Sequence, residues 1–369
     1  MTFIEGVEGS VGPIVAVFLA AGVLAFVITP LVRRVVTRYE IVDRPEARRV
    51  NVAPVPRAGG LATAAAFLIV AAVFVILNES ARWVPEPLTI ESGDLVGLFL
   101  GGAAAAAIGA IDDLFDLRAR WQLAGQLGLA GLAVALGIGV DVVANPFGSG
   151  VIRFNELFSV GFTVFWIVGM INSINWIDGL DGLSSGIALI AAVTLGVISL
   201  TTQISQPMVA VLCFALAGAL AGFLRWNFHP ATIFAGTSGV QFVGYTLAVL
   251  SILGSAKVAV ALLVLGVPII DTFWIIVRRV LDGRSPFSPD RGHIHHRLLD
   301  LGMSHRDTVL VIYGICAALG LVALLLSDVT QLYAFLGVFV VSGLILFGPT
   351  RGAFRRPAEL EAEAYEPDE

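Results

Sequence analysis

Eleven apolar runs of transmembrane length constrain this chain more than any other feature of its sequence. A helix that crosses the hydrocarbon core of a bilayer needs about 20 mostly apolar residues. Of the 369 residues, 57% are hydrophobic and 14% are charged, which is too apolar a composition for a soluble domain. The sequence therefore predicts an all-α, polytopic integral membrane protein with about eleven transmembrane helices, and it excludes a soluble enzyme. The runs lie at approximately 11–32, 58–77, 95–111, 121–140, 157–174, 184–202, 206–224, 239–255, 258–277, 307–326 and 329–348.

The basic residues predict the orientation of the chain, because Lys and Arg concentrate in cytoplasmic loops. Alternate loops divide the 22 basic residues 19 to 3, and the smaller set is Arg82, Arg153 and Lys257. We expect the amino terminus outside and the carboxyl terminus inside. Residues 1–348 should form one membrane domain, and 349–369 a short acidic cytoplasmic tail without fixed structure. The net charge of −6 excludes a nucleic-acid-binding protein.

The first polar cluster is the run IDDLFD, at the inner end of the third apolar run. It brings Asp112, Asp113 and Asp116 into about one helical turn. Carboxylates that close repel one another unless a cation neutralises them, and Mg²⁺ prefers carboxylate oxygens and often bridges to substrate phosphates. A solvated loop that forms ion pairs with Arg118 and Arg120 is the alternative interpretation.

A second cluster, NSINWIDGLDGL, repeats polar side chains at every third residue. Asn172, Asn175, Asp178 and Asp181 therefore follow one face of a helix. Amides and carboxylates at a membrane edge are costly unless they hold a polar ligand. A helix end capped by Asn and Asp is the alternative.

The longest inner loop, 278–302, contains five arginines and the histidines His293, His295 and His296. Arg binds phosphate through a planar fork of donors, and His can exchange protons with it. Zinc is a weaker interpretation of the HxHH run, because neither Cys nor a nearby carboxylate completes a tetrahedral set.

Two further features carry less information. The segment 225–239 contains Asn227 and His229, which could contact a base or a phosphate or could belong to a plain connecting turn. Asp271 is the clear charged exception within the apolar runs, about 10 Å below the cytoplasmic end when measured along a helix to Arg278.

Together the inner loops offer carboxylates for a divalent cation, Arg and His for phosphates, and amides for a polar head group, next to a bilayer that can supply a lipid. That combination indicates phosphoryl transfer between a nucleotide-linked donor and a membrane lipid. A lipid or solute transporter is the competing hypothesis, although a transporter would place its ionisable residues near the bilayer midplane.

At these residues the chain resembles the polyprenyl-phosphate N-acetylhexosamine-1-phosphate transferases of glycosyltransferase family 4, specifically the bacterial WecA/TagO type. The resemblance covers almost the whole length, with the motifs in family order. It rests on VPRAGGLA (55–62), IDDLFD, NSINWIDGLDGL, NFHPATIFAG and GRSPFSPDRGHIHHRL (283–298).

The resemblance implies transfer of N-acetylglucosamine-1-phosphate, or a related N-acetylhexosamine-1-phosphate, from a UDP-sugar to undecaprenyl phosphate. UMP is released, Mg²⁺ or Mn²⁺ is required, and the reaction begins cell-envelope glycan synthesis, such as that of cell wall, lipopolysaccharide or teichoic acid, at the cytoplasmic face of the bacterial inner membrane. A homodimer is a further expectation. The implied catalytic residues are Asp112 and Asp113. The implied substrate-binding residues are Asn172, Asp178, Asp181, Asn227, Arg279, His293, His295 and His296, and the implied metal ligands are Asp112, Asp113, Asn175 and the residue at position 237.

Two positions depart from the family pattern. Asn51 stands where the family usually has His, and Thr237 stands where the F-x-G-D motif has a metal-binding aspartate. The second departure leaves a catalytically weakened transferase relative as a third hypothesis.

Overall fold

The computed structural model describes residues 7–43, 54–84, 92–145, 147, 150–201, 205–253, 257–281, 283, 285, 292–326 and 329–347. The regular structure of this part is helical, apart from two short antiparallel hairpins, so the predicted all-α class is confirmed. The predicted acidic tail at 349–369 and the departure at Asn51 lie outside the described residues. The helices are α1 Val7–Arg38, α2 Gly60–Ala81, α3 Ser92–Phe115, α4 Ala119–Ala135, α5 Glu156–Ile177, α6 Leu183–Ser199, α7 Pro207–Asn227, α8 Gly236–Ile252, α9 Lys257–Val264, α10 Gly266–Leu281, α11 Ile294–Asp300, α12 His305–Leu325 and α13 Val329–Phe347.

Six of the described helices, α1, α2, α3, α5, α7 and α12, are long and apolar enough to cross a membrane alone. The pair α9 and α10 supplies a seventh span if the two are counted together, although they meet at a bend of 79°. Each of the eleven predicted runs falls on one helix or on this bent pair. The chain is therefore a multi-pass membrane protein. The number eleven and the orientation stay predictions, because several of these helices are shorter than a bilayer requires.

Two helices, α7 and α8, form the centre of the bundle. Every residue of α8 from Ser238 to Ile252 is buried, and α8 packs against α3, α5 and α2 while α7 packs against α1 and α6. The approach of α1 to α7 depends on glycine, since a Cβ on Gly222 would lie 2.0 Å from the carbonyl oxygen of Gly22. Close backbone contact between small residues is typical of helix packing in membranes.

The outward face of α1 is apolar and exposed, for example at Val11, Leu19 and Val23. Such a face suits lipid rather than water. Cys213 and Cys316 are buried and free.

One hairpin helps to build the polar end of the bundle. Its strands are β1 Val42–Asp43 and β2 Val55–Pro56, with Val42 opposite Pro56. The Pro56 carbonyl oxygen accepts a 2.8 Å hydrogen bond from Phe234 N, which ties this hairpin to the α7–α8 connection. The second hairpin, β3 Val142–Ala144 with β4 Val151–Arg153, lies between α4 and α5.

Candidate active site

A cavity of about 290 Å³ opens at the end of the bundle where α3, α5, α7 and α10 finish and α2, α6, α8 and α12 begin. Four acidic side chains line it together with one arginine and two histidines, so its wall suits a cation and phosphates at once. The lining residues are Asp43, Arg57, Asp113, Asn175, Asp178, Gly179, Leu180, Asp181, Asn227, Phe234, Ala235, Gly236, Thr237, His296 and His305.

The carboxylate of Asp113 caps the amino terminus of α8 from the neighbouring helix α3. Its Oδ1 accepts a hydrogen bond from Thr237 N at 2.8 Å, and its Oδ2 accepts one from Ser238 N at 3.0 Å. The preceding residue Ala235 makes no side-chain cap, so Asp113 supplies the acceptors that the first N–H groups of α8 lack. Gly236 makes this possible: its φ is +71°, and a Cβ there would lie 2.7 Å from the Asp113 carboxylate.

The neighbouring Asp112 points elsewhere, although both aspartates were predicted to have the same roles. Its Oδ1 accepts hydrogen bonds from Leu117 N at 3.0 Å and from Gln122 Nε2 at 2.8 Å. Asp112 is not among the residues that line the cavity in the described part of the chain. It holds the α3–α4 turn, and its predicted metal and catalytic roles gain no geometric support.

The second cluster divides in the same way, because α5 ends at Ile177. Asn175 and Asp178 reach the cavity. Asn172 lies one turn earlier and donates to Gln126 Oε1 on α4 at 2.7 Å, so it fastens two helices together outside the cavity lining. Of the polar side chains that the spacing places on one helix face, Asn175, Asp178 and Asp181 line the cavity and Asn172 does not.

Asp178 has an unfavourable environment for a charged carboxylate. Its pKa is raised from 3.8 to about 6, chiefly by burial; a hydrogen bond from Ser184 opposes the rise, and the nearby carboxylates of Asp113 and Asp181 add to it. A cation in the cavity would relieve this repulsion.

Asp181 links three connections of the chain. Its Oδ2 accepts hydrogen bonds from His229 Nδ1 at 2.7 Å and from Ala231 N at 3.0 Å, while its own N–H donates to His305 Nε2 at 2.9 Å. The rings of His229 and His305 stack with centroids 4.2 Å apart. Ligand atoms of Asp181, His229 and His305 lie within 4.8 Å of one another, which is close enough for one metal ion. The hydrogen bonds of Asp181 to the two histidines hold the α5–α6 connection against the α7–α8 connection and the start of α12.

Asn227 is buried and fixes the connection from α7 to α8. Its Nδ2 donates to Ile233 O at 3.1 Å, and its Oδ1 accepts from Ser185 Oγ at 2.8 Å. Asn227 lines the cavity, so a substrate-binding role stays a prediction beside this structural one.

The three histidines of the long inner loop occupy different depths. His296 lines the cavity. His295 is buried with its Nε2 against Gly179, where a Cβ would lie 2.2 Å away, and burial followed by the neighbouring His296 and His293 lowers its pKa well below its usual range. His293 Nδ1 instead bonds Asp271 Oδ2 at 2.7 Å.

Arg279 is buried on α10, outside the cavity lining of the described residues. Its guanidinium carbon lies 5.2 Å from the centroid of the Trp176 ring, a cation–π contact. Because Trp176 follows the cavity residue Asn175, Arg279 supports the wall of the cavity from behind.

Three titratable cavity residues, Asp43, Arg57 and His305, had no role predicted from the sequence. Arg57 follows strand β2 and pairs with Asp116 at 2.7 Å, which uses an aspartate that the sequence had assigned to the metal cluster. Arg57 was visible only as part of the VPRAGGLA motif, and His305 is preceded by no motif at all.

The residues present fit a divalent cation of the Mg²⁺ type. Asp113, Asp178 and Asn175 supply carboxylate and amide oxygens to one cavity, and burial, with the neighbouring carboxylates of Asp113 and Asp181, raises the pKa of Asp178, which a bound cation would oppose. Thr237 lies at the same wall, with its main chain bonded to Asp113.

A multi-pass bundle with an acidic, histidine-bordered cavity at one end suits a membrane-embedded transferase, and the similarity of the chain to known transferases places it in that class. The chain belongs to glycosyl transferase family 4, whose sequence profile matches residues 95–255. It is 34% identical over 345 residues to a Bacillus subtilis protein named probable undecaprenyl-phosphate N-acetylglucosaminyl 1-phosphate transferase, covering 90% of each chain. It is also 34% identical to a decaprenyl-phosphate N-acetylglucosaminephosphotransferase of Mycolicibacterium smegmatis, over 89% of this chain and 86% of the relative. An undecaprenyl-phosphate alpha-N-acetylglucosaminyl 1-phosphate transferase of Thermotoga maritima is 29% identical over 88% of this chain and 93% of its own.

Proposed function

We propose that this protein transfers N-acetylglucosamine-1-phosphate from its UDP-sugar to a polyprenyl phosphate such as undecaprenyl phosphate, with release of UMP. The observation that carries the proposal is the meeting of Asp113, Asp178 and His296 in one cavity at the end of a membrane bundle. The names of the relatives support the same reaction. A phosphate oxygen of the lipid attacks the sugar-bearing phosphorus, a new P–O bond forms, and the P–O bond to UMP breaks.

The chain's own residues would bind and orient the two phosphate groups. Arg57 and His296 offer hydrogen-bond donors at the cavity wall. Asp113, Asp178 and Asn175 would hold Mg²⁺, which supplies charge neutralisation for the diphosphate. Asp113 also keeps the first turn of α8 against the cavity.

The same proposal sets the location of the protein. The cavity would face the cytoplasm, because the basic loops that surround it follow the positive-inside rule. Residues 1–348 would act as one membrane domain in the inner membrane of a bacterium, at the first membrane step of cell-envelope glycan synthesis. A homodimer stays a prediction.

Purified protein in lipid nanodiscs tests the reaction directly. We expect UMP release that requires both undecaprenyl phosphate and a UDP-N-acetylhexosamine, and that EDTA abolishes. A panel of UDP-sugars and of undecaprenyl and decaprenyl phosphates identifies the preferred pair. Movement of a lipid or sugar across vesicles without UMP release would instead support the transporter hypothesis.

The substitution Thr237→Asp tests whether position 237 belongs to the metal shell. A hydroxyl is a weaker Mg²⁺ ligand than a carboxylate, so we expect the natural protein to need an unusually high Mg²⁺ concentration and the variant to need less. A Mg²⁺ and Mn²⁺ titration of UMP release measures both. An unchanged metal dependence, or loss of activity in the variant, would remove Thr237 from the shell.

A further inference from the structure

We infer that Asp271 is a positioning residue that sets the inner-loop histidines against the cavity through His293 and the amino terminus of α11. The inference deepens the proposed function and, for its kinetic part, rests on it. Asp271 is the charged residue within the apolar runs that the proposed reaction leaves without a role.

Both oxygens of the Asp271 carboxylate accept hydrogen bonds from the start of α11. Asp271 Oδ2 accepts from His293 Nδ1 at 2.7 Å, and Asp271 Oδ1 accepts from Ile294 N at 2.9 Å. Only 10% of the Asp271 side chain and 9% of the His293 side chain are exposed. Hydrogen bonds to a charged acceptor in such a setting are stronger than those between neutral groups.

The helix that Asp271 holds has little to stabilise it by itself. With seven residues, α11 is far below the length at which a helix is stable alone. Its N-cap residue, His293, makes no side-chain cap to its own helix. Asp271 on α10 therefore provides the acceptor that the first turn of α11 needs, and its negative charge suits the positive end of the helix dipole.

What α11 carries is the histidine set next to the cavity. Ring centroids are 5.5 Å apart between His293 and His295, and 4.4 Å apart between His295 and His296. His295 packs on Gly179 of the α5–α6 connection, and His296 lines the cavity. A shift of the first turn of α11 would move all three rings, because they follow one another within a single turn.

The hydrogen bond to Asp271 also determines which ring nitrogen of His293 carries the hydrogen. A carboxylate accepts only, so Nδ1 of His293 must carry a hydrogen, and in the neutral ring Nε2 carries none. An amide at position 271 can still accept from Ile294 N through its oxygen, but its NH₂ group would face Nδ1 and favour the opposite tautomer. Asp271→Asn therefore keeps most of the cap while it changes the histidine.

The experiment uses the full-length protein in nanodiscs with ¹⁵N-labelled histidine. The chain has five histidines, so His→Gln variants assign each signal. We expect His293 in the natural protein to show the Nδ1–H tautomer, and Asp271→Asn to lose that tautomer and to shift the His295 and His296 signals. Asp271→Glu retains the negative charge, so we expect it to keep the Nδ1–H tautomer of His293. If it does, position 271 tolerates substitution, and the loss of the tautomer in Asp271→Asn comes from the lost carboxylate.

The matched control is Asp141→Asn, because Asp141 is a carboxylate that accepts from Ser159 Oγ at 2.7 Å in a connection remote from the cavity. For UMP release we expect at least a tenfold lower kcat in Asp271→Asn, partial recovery in Asp271→Glu, and no change in the control.

A natural protein without UMP release would overturn the proposed function alone, since the NMR tautomer does not depend on turnover. Natural His293 and His296 signals in Asp271→Asn would overturn the positioning role. A kcat of Asp271→Asn equal to that of the natural protein would also overturn the positioning role.

Discussion

The adjacent aspartates Asp112 and Asp113 have different roles because their side chains point to different parts of the bundle. Asp113 faces the cavity and caps α8, whereas Asp112 faces Gln122 and the turn after α3. Both are buried carboxylates with two hydrogen bonds or more. Only the direction in which each side chain leaves α3 separates them.

We therefore expect Asp113→Asn to lower UMP release far more than Asp112→Asn. An amide at 113 can still accept one N–H of α8, so the fold should survive while the charge at the cavity is lost. A fall in kcat of about a hundredfold or more corresponds to about 2.7 kcal/mol of transition-state stabilisation. Asp112→Asn should instead lower the Tm through the α3–α4 turn. Equal kinetic losses in the two variants would contradict this division.

The raised pKa of Asp178 makes the stability of the folded protein depend on pH. Burial raises its pKa from 3.8 to about 6. A carboxyl whose pKa is higher in the folded than in the unfolded state holds its proton more tightly when folded. Its favourable contribution is therefore full below about pH 4 and is lost as the pH rises from about 4 to about 6.

In EDTA at pH 7.5, Asp178→Asn should accordingly have a higher Tm than the natural protein, whereas below about pH 4 the two values should be close. Mg²⁺ should raise the Tm of the natural protein at pH 7.5 more than that of the variant. Differential scanning fluorimetry measures all of these, and Glu79→Gln, at an exposed position near the end of α2, is the control. A Tm difference that does not depend on pH would exclude the titration of Asp178 as its cause.

At the scale of elements, the shape of the cavity depends on how closely α3 approaches α8. A Cβ on Gly109 would lie 2.4 Å from Ser238 Cα. Gly109 precedes Asp113 by four residues, about one helical turn. The glycine and the carboxylate therefore meet α8 at neighbouring points.

Gly109→Ala should push α3 away from α8 and lengthen the Asp113 bonds, so both the Tm and kcat should fall. Gly131→Ala on α4 is the matched control, because nothing lies within 4 Å of its added Cβ. There, alanine should be neutral or slightly stabilising, by about 1 kcal/mol at most. If the two variants behave alike, the close approach of α3 to α8 is not important for the site.

The element scale also shows what the sequence could and could not predict. Apolar runs located the helices, and the motifs identified most of the cavity, including Asp113, Asp178 and His296. Spacing alone could not separate Asn172 from Asn175, because the separation depends on where α5 ends and on Gln126 of another helix. His305 was missed because its place at the cavity comes from tertiary packing of α12, which no local pattern records.

For the whole molecule, the testable feature is that the acidic cavity and its histidines lie at one end of the bundle. The 19-to-3 division of basic residues predicts that this end is cytoplasmic. Ser80, near the end of α2, and Leu301, after α11, are both exposed and belong to opposite ends. Each can carry a single accessible cysteine, since the two natural cysteines are buried.

In intact spheroplasts, a membrane-impermeant maleimide should label Ser80→Cys and leave Leu301→Cys unlabelled until the membrane is opened. The physical reason is that the bilayer blocks a charged reagent from the inner end. The reverse pattern would invert the topology, and with it the cytoplasmic location of the cavity.

The hydrogen bonds of the cavity also impose an order on biosynthesis. Asp113 and Thr237 are 124 residues apart, as are Asp181 and His305. At roughly 5–20 residues per second, a ribosome needs roughly 6 to 25 s to make the second partner after the first. The cavity wall is complete only when α12 has been made, so a nascent chain carries no complete site until His305, the last of these partners, has been synthesised.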